Sequence, residues 1–154
     1  MECDNLKRLF AGLVVYNYNL KLLHWNCIGK HFDTVHELMD DYSSVTNNYI
    51  DEIAEIMKMF NVRPLCLECA LKLIKEDNSH EFLYLACEEN FDSKDVWKNV
   101  SIMFSSLINL YENTINCTEE HNTALPGDVI SKLQEHQYWF RKEYFYKIKA
   151  RLDD

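Results

Sequence analysis

Five side chains between Leu23 and Glu55 are of the right types to act together: His24, His36, Asp40, Asp51 and Glu55. Two imidazoles and three carboxylates suit iron or zinc better than magnesium or calcium, which favour all-oxygen shells. Their spacing says how they can meet. Over residues 32–60, apolar side chains recur mostly at three- and four-residue steps (Val35, Leu38, Met39, Tyr42, Val45, Tyr49, Ile53, Ile56, Phe60), the period of an amphipathic helix. On that helix His36 and Asp40 are four apart, as are Asp51 and Glu55, so each pair shares a face. Asp40 to Asp51 is three turns plus roughly 20°, which puts both pairs on one stripe, about 16 Å apart. One ion cannot reach both pairs of the same helix. A second copy, antiparallel across a two-fold axis near Thr46, sets His36/Asp40 of one chain opposite Asp51/Glu55 of the other, and an isologous dimer makes the site twice. The expectation is an intersubunit metal site. The ordinary alternative is a His bonded to a backbone carbonyl and carboxylates on a wet helix face.

The same residues resemble a known family. Leu-His-Trp-Asn-Cys-Ile-Gly-Lys-His-Phe (23–32), Val-His-Glu-Leu-Met-Asp-Asp (35–41) and Ile-Asp-Glu-Ile-Ala-Glu (50–55) are similar to the Dps mini-ferritins, DNA-binding proteins from starved cells. The pattern shared is His-Trp, a Gly, a Phe, His with Asp four later, then Asp-Glu-x-Ala-Glu. The resemblance is strong over residues 6–64 and weaker beyond. It implies an all-α, ferritin-like four-helix bundle with a short extra helix between the second and third helices. It also implies a homodimer assembled into a hollow homododecamer, with ferroxidase activity. His24, His36 and Asp40 of one subunit, with Asp51 and Glu55 of its partner, would bind non-haem iron, with zinc as a possible substitute. Fe(II) would be oxidised by hydrogen peroxide, dioxygen being the poorer oxidant, and stored as ferric oxide. The resemblance further casts Trp25 as an aromatic that takes up stray radical equivalents. The intrabundle di-iron signature of other ferritins, Glu-x-x-His, is absent, since no Glu here has a His three residues on.

The elements that must position these residues are helical. Residues 4–28 carry the stripe Leu6, Leu9, Phe10, Leu13, Tyr16, Leu20, Leu23 and Cys27, with Asp4 or Asn5 as cap and Gly29 as terminator. The short link at Gly29 and Lys30 makes the first two helices antiparallel neighbours. Pro64 stops the second helix near Asn61, where family members often have Gly-Gly and this chain has Asn61-Val62-Arg63. A short helix is expected over 65–75 and a packed stretch around Phe82 to Leu85. The third long helix spans 93–119, capped by Asp92 or Ser93, and the fourth, rich in aromatics, spans 127–152. That aromatic helix is expected to meet neighbouring subunits. Glu119, Glu120 and Asp128 are candidates for an acidic iron-entry pore.

One domain of 154 residues with 47% hydrophobic residues is long enough to bury a core. The acidic start and lack of an apolar leader argue for a cytoplasmic protein with six reduced cysteines. No membrane span is expected. A net charge of −9 makes DNA an unlikely partner, since phosphate affinity comes from Lys and Arg. The basic end around Arg141, Lys142, Lys147, Lys149 and Arg151 reads as cations on a helix C-terminus. Cys66-x-x-Cys69 with His80 and Cys87 is a loose zinc pattern; two buried cysteines are the simpler reading. A non-catalytic shell or scaffold of the same fold, even one associated with DNA, is the alternative function.

Overall fold

Each apolar stripe becomes a helix in the computed structural model, which describes residues 4–76, 85, 89–120 and 127–152. The helices are α1 (Asp4–Asn26), α2 (Phe32–Met59), α3 (Leu67–Glu76), α4 (Ser93–Glu120) and α5 (Gly127–Glu143). α1 packs on α2 and α4, α4 on α5, and the crossover helix α3 on α1. The core is filled from all four long helices: Leu6, Leu9, Leu13, Tyr16, Leu20 and Leu23 from α1, Met39, Tyr42 and Ile53 from α2, Phe104 and Tyr111 from α4, Leu133 and Phe140 from α5. Each buried Leu of this kind is worth about 1.5–3 kcal/mol over exposure.

Local chemistry sets the ends. α1 stops before Gly29, whose φ of 103° an L side chain rarely adopts. The chain then makes a β-bridge between Cys27 and Phe91: the Ile28 amide donates to the Phe91 carbonyl at 2.8 Å, and the Phe91 amide to Asn26 at 2.9 Å. This ties the end of α1 to the entry of α4, which Asp92 caps by accepting from the Asp95 amide at 2.9 Å. Asn5 does not cap α1; its amide reaches the Asn113 carbonyl of α4 at 3.4 Å.

At the end of α2 Asn61 does the work of the missing glycine. Its φ is 59°, its amide donates to Lys58, and the Val62 amide donates back to Met57 at 2.8 Å. That is a Schellman ending with Asn in the left-handed position, the one non-glycine residue other than Asp that tolerates it well.

The last helix departs from the expected regular run to Leu152. After Glu143 it widens to a π turn over Tyr144–Ile148 and tightens to a 3-10 turn over Lys149–Arg151. Eight residues of regular helix would carry Ile148 about 80° past Phe140. The wider turn returns Ile148 to the core, where both are fully buried. Phe145 and Tyr146 are left exposed. Several of the basic residues here have partners in the same chain: Arg141 with Glu112, Lys147 with Glu143, and Arg151 over the Trp97 ring. Of the expected packed stretch, Leu85 is half-buried and its amide donates to Asn19 Oδ1 at 3.2 Å; Phe82 to Tyr84 lie outside the described residues.

Candidate metal centre

The tight link between α1 and α2 brings His24 and His36 face to face, with ring centroids 3.8 Å apart and planes 16° apart. Each ring bonds the other residue's backbone. His24 Nδ1 meets the His36 carbonyl at 2.6 Å, and His36 Nδ1 meets the His24 carbonyl at 2.7 Å. A carbonyl can only accept, so both Nδ1 atoms carry the proton, and in the neutral ring each Nε2 keeps a lone pair. An Nδ1–H held by a carbonyl is how ligating histidines are commonly oriented toward a metal. Phe32 stacks on His36, with centroids 4.9 Å apart.

Asp40 lies one turn beyond His36, yet its carboxylate pairs with Lys21 Nζ at 3.1 Å. The hydrogen bond and charge of Lys21 hold the Asp40 carboxyl below the usual carboxylate range. Asp51 and Glu55 are exposed further along α2. Within one chain the five residues do not converge, and among the described residues no three His, Cys, Asp or Glu side chains are grouped to hold a metal ion. Trp25 is exposed and meets Tyr18 edge-on at 6.2 Å. Of the loose zinc pattern, Cys66 and Cys69 are exposed rather than buried, because they stand at the open first turn of α3; His80 and Cys87 lie outside the described residues. Of the pore candidates, Asp128 is exposed, and the side chains of Glu119 and Glu120 lie outside the description.

The family model of the ferritin-like domain matches residues 3–150. The chain belongs to the ferritin-like family. Its curated relatives include the fine tangled pili major subunit of Haemophilus ducreyi, 44% identical over 151 residues, covering 98% of this chain and 74% of that protein. A DNA protection during starvation protein of Helicobacter pylori is 26% identical over 137 residues, covering 84% and 89%. The crystal structure of a Dps protein from Bacillus brevis superposes with a TM-score of 0.82 at 19% identity, over 99% of both chains. The Dps resemblance read from residues 23–55 is thus met by relatives of the whole chain and by their fold.

This ferritin-like chain also holds a polar cluster that reading the sequence missed. His136 of α5 is buried between α2 and α4. Its Nδ1 accepts from the Tyr111 hydroxyl at 2.8 Å, and its Nε2–H donates to Glu52, which also pairs with Lys132 at 3.7 Å. Tyr49 stacks on the imidazole, with centroids 3.7 Å apart. Burial pushes the His136 pKa down against the pull of Glu52, so the ring is neutral, with one nitrogen donating and the other accepting. Burial likewise raises the Tyr111 phenol well above its usual value and keeps it a donor. The signal was available: His136 falls on the stripe Val129, Leu133, His136, Phe140, where a polar residue needs a buried partner.

Proposed function

We propose that this ferritin-like protein oxidises Fe(II) with hydrogen peroxide at sites shared by two copies of the chain, and retains the ferric product. The observation that carries the reading is the reciprocal lock of His24 and His36. It fixes both rings with Nε2 lone pairs available, a donor state that suits a metal ion and that neither ring needs for its own hydrogen bonding. Asp51 stands about 16 Å beyond Asp40 along α2, and Glu55 one turn further, so a second copy is the natural source of those carboxylates.

Fe(II) is the substrate. His24 and His36 would supply neutral nitrogen. Asp40, with Asp51 and Glu55 of a second copy, would supply three negative charges that favour the ferric over the ferrous ion. Two ferrous ions give up one electron each, the O–O bond of one peroxide breaks, and its oxygens leave as water or remain in the ferric product. Asp40 must first leave Lys21, an exposed ion pair of the weak kind. Trp25, next to His24 in sequence, and Tyr18, edge-on to Trp25, are placed to quench one-electron oxidants. A hollow dodecamer would store the product, and the exposed Tyr138, Phe145 and Tyr146 suit contacts between subunits. DNA is not the expected partner at a net charge of −9. No described helix is long and apolar enough to cross a membrane; this reading places the protein in the cytoplasm.

A second reading, a fibre or scaffold subunit that keeps the fold without the chemistry, is favoured by the 44% identity to a pilus subunit. Anaerobic Fe(II) loading followed by a peroxide pulse, read by ultraviolet absorbance, separates the two. Fast oxidation lost in His36→Ala/Glu55→Ala, with iron retained on a large particle, supports the first. Equal rates in both proteins support the second.

A further inference from the structure

Cys66 and Cys69 open α3, and both are exposed. Cys66 stands at the cap: its carbonyl accepts the first helical bond, from the Ala70 amide at 2.9 Å. Its sulfur occupies the place of a capping Ser or Asp oxygen, with the Cys69 amide directed at Cys66 Sγ at 3.4 Å. With Lys7 and Arg63, the two cysteines line a cleft of about 690 Å³, roomy enough for a small solute beside its water. The pair is chemically unequal. The Cys69 amide lowers the Cys66 thiol pKa, and bonding to the Cys66 sulfur raises that of Cys69, so Cys66 is the more acidic thiol of the two. By contrast Cys27 is buried in the core, and burial raises its thiol pKa.

We propose that Cys66 and Cys69 form a peroxide-reactive dithiol, Cys66 attacking a small hydroperoxide in the cleft and Cys69 closing an intrachain disulfide. In the first step the Cys66 thiolate attacks one peroxide oxygen; an S–O bond forms, the O–O bond breaks, and hydroxide (or alkoxide) leaves with the electron pair. In the second the Cys69 sulfur attacks Cys66; the S–S bond forms, the S–O bond breaks, and the departing hydroxide takes up the Cys69 proton as water. Two thiols are oxidised and one peroxide is reduced. Residues three apart on a regular helix have Cβ atoms about 5–6 Å apart, and a disulfide needs about 3.5–4.5 Å. Cys66 precedes the helix, so its backbone can turn to close that gap without unwinding α3. The reaction uses no iron and is independent of the His24/His36 site.

The test treats metal-free, fully reduced, full-length protein with one equivalent of hydrogen peroxide, then alkylates and digests it without reductant. The peptide spanning residues 59–72 should be two hydrogens lighter and unalkylated, with dithiothreitol restoring both thiols. Cys69→Ser should leave a Cys66 sulfenic acid that dimedone traps. Cys66→Ser should slow peroxide-dependent thiol loss at least tenfold and leave Cys69 unlabelled. The proposal is overturned if that peptide stays fully alkylated while other cysteines are consumed, if dimedone labels the two single variants equally, or if a covalent dimer on a non-reducing gel replaces the intrachain product.

Discussion

Tyr49 and His136 lie ring on ring across the space between α2 and α5, with centroids 3.7 Å apart and planes 8° apart. Tyr111 donating to one imidazole nitrogen and Glu52 accepting from the other leave the ring fully bonded only while it is neutral.

A pH dependence follows. The folded-state pKa of His136 lies below its ordinary 6.5. Between the two values the unfolded chain binds a proton that the folded chain does not, so the contribution is complete above about pH 6.5 and falls as pH drops below it. Melting curves between pH 7.5 and 5 should show that loss. His136→Gln should be less stable at pH 7.5 by about 1–3 kcal/mol and decline less steeply on acidification. Parallel declines of wild type and variant would show that His136 does not titrate on unfolding.

Lys21 competes with metal for Asp40 in the proposed site. Lys21→Met should raise the Asp40 carboxyl pKa, followed by carbon NMR, because the bond that lowers it is gone. It should also tighten Zn(II) binding by about twofold to fivefold, the range of an exposed ion pair. Asp40→Asn in the same background should abolish that gain. Weaker Zn(II) binding in Lys21→Met would make the ion pair part of the site rather than its competitor.

Two backbone positions carry the turns that set α1 and α2. Gly29→Ala meets open space, so its cost is backbone strain alone, about 1–3 kcal/mol in urea denaturation. Asn61→Ala should cost about 1 kcal/mol and Asn61→Gly should not destabilise. Changes under about 0.5 kcal/mol in both alanine variants, the noise of ordinary surface substitutions, would mean the turns relax.

Much of this was legible in the residues. The stripe Leu6 to Leu23 and that from Val35 to Ile56 place α1 and α2, and Gly29 and Pro64 bound them, because helix period and turn chemistry are local. The approach of His24 to His36 follows from the short link between those helices. Less legible were relationships that depend on how two distant helices rotate against each other. Lys21 reaching Asp40 is one and Glu52 reaching His136 is another. The π turn at Tyr144 was hidden for a related reason: it corrects a phase error that exists only once Phe140 and Ile148 must face the same core. The exposure of Cys66 and Cys69 depends on α3 showing its first turn to solvent, which the apolar Leu67, Leu71 and Ile74 do not reveal.

Sharing of the site between two chains is tested most directly by mixing lesions. His36→Ala and Glu55→Ala chains, each inactive alone, would be co-expressed in equal amounts and assayed for peroxide-dependent Fe(II) oxidation. In a two-fold dimer half of the random pairs are mixed, and each mixed pair holds one site with both lesions and one with none, so about a quarter of wild-type activity should return. Recovery no greater than that of the separate variants would contradict an intersubunit site.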